Sequence, residues 1–141
     1  MNIREIQQEI IDLFEPFDDW MDRYALIIDM AKELDPLDEQ EKVPDNIIEG
    51  CQSRVWIVAK KERDLLYFKA DSDALIVKGI AAMLLRIFNG QKPEDILRED
   101  LFFIKKIGLD DHLSPTRSNG LHAMIDQIKR YALKSIAHLQ E

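Results

Sequence analysis

The sequence contains one cysteine, Cys51. A solitary thiol excludes a disulfide framework within the chain, a zinc site built on several thiolates and a Cys-x-x-Cys redox pair. Glycine and proline are sparse, five of each among 141 residues. With no internal repeat or low-complexity tract, that excludes the fibrous and the disordered classes. No apolar run approaches the roughly 18 residues that a membrane span needs. The longest, Gly79 to Leu85, is bounded by Lys78 and Arg86. The opening residues, Met1-Asn2-Ile3-Arg4-Glu5-Ile6-Gln7-Gln8, lack the basic start and continuous apolar run of a secretory signal. The expectation is a cytoplasmic protein with no membrane contact. An excess of positive charge is missing too: Lys plus Arg total 19 against 27 Asp plus Glu, a net charge of −8. Nucleic acid is bound through basic patches, so protein or small-molecule partners are expected instead.

What is present suits a globular fold. Hydrophobic residues make up 46% of the chain, and a chain of this length buries about two-thirds of the surface it exposes when unfolded. Against roughly 150 residues per domain, the length predicts one domain over 1–141. Ile3, Ile6, Ile10, Leu13 and Phe14 recur at helical spacing until Pro16. A second helix follows the Asp18-Asp19 cap and buries Trp20, Tyr24, Ile27, Ile28, Ala31 and Leu34. Residues 35–46 are acidic and aperiodic, with Pro36 and Pro44, and read as an exposed loop.

The pattern then changes to strand. Val55, Trp56, Ile57 and Val58 form a β-branched and aromatic run, Lys60 to Asp64 a polar turn, and Leu65 to Phe68 the returning strand. Asn46-Ile47-Ile48 adds a short third strand. Five polar residues close a hairpin but not a parallel crossover, so the sheet is antiparallel. Asp71-Ser72-Asp73 is read as the cap of a helix over 73–88 that turns Leu75, Ile76, Ile80, Met83, Leu84, Ile87 and Phe88 inward and ends at Asn89-Gly90. Short helices are expected at 93–98 and within 101–107. A last helix over 115–139 opens on Ser114-Pro115 and buries Leu121, Met124, Ile125, Ile128, Ala132, Ile136 and Leu139. The fold class is α+β, helices packed on a small antiparallel sheet of about three strands.

The residues alone leave two readings of Cys51. Free cysteine is a small hydrophobe that is often buried and inert. It is also the strongest side-chain nucleophile near neutral pH, and here it stands in a polar Gly50-Cys51-Gln52-Ser53 turn rather than on an apolar face.

The run Gly50-Cys51-Gln52-Ser53-Arg54-Val55-Trp56-Ile57-Val58 resembles the signature of the SufE family of sulfur-acceptor proteins. Asp71 to Gly79, His112 to Ser118 and Asn119-Gly120-Leu121 match in order, and the resemblance covers nearly the whole chain. It implies an α+β fold of the SufE/NifU kind. It also implies that Cys51 accepts sulfane sulfur as a persulfide from a pyridoxal-phosphate-dependent SufS-type cysteine desulfurase and stimulates that enzyme. The sulfur then passes to a SufBCD-like scaffold for iron–sulfur cluster assembly. No cofactor of its own and no metal are expected, with a monomer or homodimer as the assembly. The alternatives are a CsdE-like acceptor serving another desulfurase and sulfur pathway, or a single-cysteine thiol hydrolase. A cluster scaffold of the NifU or IscU kind needs several cysteine ligands, and this chain offers one.

Five residues are supporting candidates. Arg117 is either a cation favouring an anionic persulfide or partner, or a surface or capping arginine. Asp73 is read first as a helix cap and second as a control on the cysteine loop. Gln52 and Ser53 are read as hydrogen-bonding the turn. His112, the histidine outside the terminal helix, is either a base toward the thiol or a surface residue. His122 and His138 are placed on the polar face of the last helix. Val43, Ile47, Ile48 and Val55 are expected to form an apolar recess about the loop.

Overall fold

Hydrophobic periodicity and local capping set the helices. In a computed structural model of the protein, which describes residues 1–48 and 53–140 with the side chains of 138–140 excepted, α1 spans Ile3–Phe14. Asn2 caps it by accepting the Glu5 N–H at 2.8 Å, and the Glu5 carboxylate accepts the Asn2 N–H at 3.1 Å. Helix α2, Trp20–Met30, starts at Asp19, whose side chain accepts the Met21 N–H, and tightens into a 3₁₀ turn over Ala31–Glu33. Further 3₁₀ turns at Glu39–Glu41 and Pro44–Asn46 break up the acidic segment. Strands β1, Val55–Glu62, and β2, Leu65–Ser72, form an antiparallel hairpin with Val55 opposite Ser72. Four more helices follow: α3 (Leu75–Phe88), α4 (Pro93–Arg98), α5 (Phe103–Lys106) and α6 (Leu109–His112). Helix α7 spans Pro115–Gln140.

Helix α3 is the centre of the packing. It lies against β2 and is flanked by α1, α2 and α7, so the whole stretch from Gly79 to Leu85 is buried. A helix apolar on all sides is one enclosed on all sides. Gly79 permits the closest of these contacts: a methyl carbon there would fall on the Ile27 carbonyl and 2.6 Å from Ile27 Cγ2. Helix α7 is pinned to β1 by Tyr131, which donates its hydroxyl to the Ile57 carbonyl at 2.9 Å. Burial pushes that phenol above its ordinary pKa. Gln7, fully buried, ties α1 to the segment ahead of α5: its Nε2 donates to the Asp100 carbonyl and its Oε1 accepts the Phe103 N–H.

The α+β class is as expected, with corrections in detail. Among the described residues the sheet has two strands rather than about three. Of the expected third strand, Ile47 alone pairs, in a bridge to Trp56 on the free edge of β1. The 3₁₀ turn ending at Asn46 leaves the chain too little extended length for more. The outer edge of β2 is covered similarly, by a bridge from Leu66 to Gln91 just beyond the Gly90 (φ +73°) that ends α3. The hairpin turn is Arg63-Asp64 rather than all of 60–64, because strand pairing continues to Glu62 opposite Leu65. Leu13 and Leu75 are exposed rather than inward, Leu75 to 62%. The expected helix start at residue 73 is β2 continuing through Ser72, so α3 begins two residues later and leaves Leu75 on its open first turn. Helix α6 has no counterpart among the expected elements.

Candidate functional site

Residues 49–52, which include Cys51 and Gln52, lie outside the described residues. The residues on either side of them are tied down by named bonds. On the entering side, Ile48 donates its N–H to the Val55 carbonyl at 2.8 Å and Ile47 bridges to Trp56. On the leaving side, Arg54 is bonded through both its backbone groups. Its N–H donates to Asp73 Oδ1 at 3.1 Å, while its carbonyl accepts the Ser72 hydroxyl at 2.9 Å and the Asp73 N–H at 3.2 Å. The stems of the cysteine segment are thus tied to the β1 edge and to the β2–α3 junction.

Next to the leaving stem lies a recess of about 370 Å³, lined by Ser53, Ala74, Val77, Ser114, Thr116, Arg117 and Gly120. Three parts of the chain converge there: the residue two after Cys51, the start of α3 and the first turns of α7. The Ser114 hydroxyl caps α7 by accepting the Arg117 N–H at 3.3 Å. The start of a 26-residue helix carries partial positive charge, and the Arg117 side chain adds a full one. The recess therefore has an apolar floor from Ala74 and Val77 and a wall favourable to anions.

On the entering side the charge is balanced differently. Asp71 Oδ2 pairs with Lys42 Nζ at 3.2 Å and its Oδ1 with Lys78 Nζ at 3.3 Å. Its side chain is 14% exposed. Burial alone would raise its pKa, but the Ser72 N–H and the two ammonium groups together outweigh that and hold it below the ordinary carboxylate value. Lys42 also stands 5.6 Å from the centre of the Trp56 ring.

The family model described as SufE: Fe-S metabolism associated domain matches residues 8–132. The chain belongs to the SufE family. Membership places this SufE protein in iron–sulfur metabolism and supports a role in sulfur transfer there. An uncharacterized SufE-like protein of Rhizobium meliloti is 43% identical over 129 residues, covering 88% of this chain and 92% of that one. Another from Rhizobium etli is 41% identical, with 88% and 87% covered. The solution structure of a hypothetical protein from Thermus thermophilus superposes with a TM-score of 0.77 at 20% identity, over 94% of this chain and 96% of that one, and so shares the fold.

Of the candidates named from the sequence, this SufE fold brings Ser53 and Arg117 into one recess and sets Asp73 beside it through Arg54. Asp73 does not cap α3: the helix N-cap is Ala74, without a side-chain bond, and the nearby Ala74 N–H goes to the Ser72 hydroxyl. His112 does not line the recess. Its ring stacks on Trp20 with centroids 3.9 Å apart, its Nδ1 lies 2.9 Å from the Gly108 carbonyl, and its own carbonyl accepts the Tyr24 hydroxyl. Those contacts describe a residue joining α2 to α6. His122 sits on the exposed side of α7 and meets Asp110. Ile48 and Val55 are buried as expected, whereas Val43 and Ile47 are 37% and 38% exposed, because the edge bridge holds Ile47 outside the sheet. Sequence reasoning missed Lys42 and Lys78, and it read Asp71 as part of a helix cap where the structure pairs it with both. A usable signal existed for Lys78, a lone charge opening the longest apolar run. Among the described residues, no cluster of His, Cys, Asp and Glu fits a metal ion. No helix there is long and apolar enough to cross a membrane.

Proposed function

We propose that Cys51 is the sulfur carrier of a transpersulfidation partner for a SufS-type cysteine desulfurase, delivering to a SufBCD-like scaffold. The observation that carries this reading is that the one thiol of a SufE-family chain lies two positions in sequence before Ser53, and Ser53 lines a recess that Arg117 and the α7 start make favourable to anions. In the transfer, the Cys51 thiolate attacks the outer sulfur of the donor's cysteine persulfide. The donor S–S bond breaks, a new S–S bond forms on Cys51, and the donor cysteine leaves as thiolate. The sulfane sulfur keeps its oxidation state, so the step calls for no electron acceptor and no cofactor on this chain; the pyridoxal phosphate belongs to the donor enzyme. The persulfide is more acidic than a thiol and gives up its proton to solvent. The resulting anion gains from positive charge nearby, which is the part assigned to Arg117 and the α7 N–H groups. A self-contained thiol hydrolase would need a base beside the sulfur, and His112 is occupied with Gly108 and Trp20.

The test is mass spectrometry of the intact chain after incubation with a desulfurase and free cysteine. The expected result is a gain of about 32 Da, one sulfur atom, on Cys51, and none on a folded Cys51→Ser variant. Uptake by the serine variant, or none by the native chain with any desulfurase that forms its own persulfide, overturns the reading.

A further inference from the structure

Besides the backbone bonds of Ile47 and Ile48 to β1, two ion pairs join the stem entering the cysteine segment to β2: Glu41 with the more exposed Lys69 at 3.7 Å, and Lys42 with the largely buried Asp71 at 3.2 Å. Trp56 and Asp71 are opposite one another in the β1–β2 register, so their side chains share a face. Lys42 reaches across from the 35–46 segment to both, pairing with the Asp71 carboxylate and lying over the Trp56 ring. From Lys42 to Ile48 the chain is one tied unit. Asn46 donates its side-chain amide to the Glu41 carbonyl at 2.7 Å and its N–H to the Val43 carbonyl at 3.0 Å. Ile47 donates to the Pro44 carbonyl at 3.1 Å. A displacement at Lys42 is therefore passed on to Ile47 and Ile48. The second ammonium on Asp71 differs: Lys78 belongs to α3, which the core holds in place whether or not that pair exists.

We propose that Asp71 is a positioning residue for the transfer cysteine, acting through Lys42 to fix where the chain enters residues 49–52. This rests on the carrier assignment for Cys51 only in its purpose, since the positioning itself is measurable without any sulfur donor. The Lys42 ammonium meets a carboxylate that is largely removed from water, where an ion pair is stronger than at the surface. The same lysine covers the indole and gains a cation–π contact there. Removing the charge at position 42 loses both of these contacts, with the exposed pair to Glu39 besides, while removing it at position 78 loses one pair that no loop depends on.

The measurement is the rate of iodoacetamide alkylation of Cys51 in the native full chain, read as whole-protein mass; the single cysteine makes the readout unambiguous. Lys42→Met is expected to be alkylated about tenfold faster than the native chain, equivalent to a shift of about 1.4 kcal/mol in how firmly the stem is held. Asp71→Asn should match it. Lys42→Arg, which keeps the charge, and Lys78→Met should stay within about twofold of native. Urea midpoints measured alongside report the general cost of each substitution, which a purely structural role would make similar for Lys42→Met and Lys78→Met. Should Asp71→Asn not fold, the comparison of the two methionine variants decides alone. Equal rates for those two, or no acceleration in Lys42→Met, overturns the proposal. Acceleration without any sulfur uptake would leave the positioning intact and sink the carrier assignment.

Discussion

Replacing Asp73 with alanine removes one acceptor and, on this structure, should loosen one stem while leaving the neighbouring helix untouched. The Asp73 carboxylate accepts the Arg54 N–H at 3.1 Å and no N–H of α3. The backbone bond from the Asp73 N–H and the Ser72 hydroxyl bond to the Arg54 carbonyl survive the change. The loss is one hydrogen bond in an exposed setting, about 1 kcal/mol, or roughly a fivefold shift in the local opening equilibrium. Hydrogen exchange of individual amides reads that shift directly, since an exposed junction opens locally rather than by global unfolding. Arg54 should exchange about fivefold faster in Asp73→Ala, and near the native rate in Asp73→Asn, which keeps a side-chain oxygen. The amides of Leu75 to Val77 and the urea midpoint should stay unchanged. If Asp73 were instead the α3 cap, alanine would cost about 1 kcal/mol through the helix start. Protection would then fall in the first turn of α3 and not at Arg54. That pattern would refute the assignment.

Two further outcomes are expected from the packing and the charge. Gly79→Ala should destabilise the protein by about 3 kcal/mol, the upper end for overpacking, because the obstacle is the Ile27 backbone as well as its side chain; thermal unfolding checks it, and a midpoint equal to native would show that α2 and α3 part freely. Asp71, held below 3.8, contributes stability that is present above that value and is lost as pH falls through its lower folded pKa. Acid unfolding of Asp71→Asn should accordingly have a shallower slope below about pH 4 than the native chain, and superimposable profiles would contradict the network with Lys42 and Lys78.

The parts of the fold legible in the sequence are those governed by short-range rules. The recurrence of Ile3, Ile10 and Phe14 on one helical face needs only periodicity, and all three are core residues. Asp19 and Ser114 are recognisable as caps because each accepts an N–H two or three residues further along its own helix, a contact that local sequence alone defines. Asp73 has the same residue type in the same kind of place, yet it is used otherwise. The difference is the register that puts Ser72 opposite Val55 and so brings the Arg54 N–H to the carboxylate. Strand register at this end pairs residues seventeen positions apart, Val55 and Ser72, and no window containing Asp73 alone reveals it. His112 shows the same limit: a lone histidine in a polar stretch gives no hint of an indole ninety-two residues earlier in the chain.

That dependence on register has a consequence for the site. The cysteine motif was readable as a string of residue types, but what restrains it is distributed over partners that the string does not contain: Asp71 and Ser72 at the end of β2, Asp73 just past it, and Lys42 ahead of the motif. The first three are consecutive, and alternate residues of a strand face opposite sides. Asp71 therefore serves the entering stem on one side, and Ser72, with Asp73 beyond the strand end, serves the leaving stem on the other. A single-residue slip of β2 against β1 would exchange these faces and uncouple both stems at once. Substitutions that shift the hairpin register should consequently harm sulfur acceptance more than substitutions of equal cost in the α1–α5 contact, although neither touches Cys51.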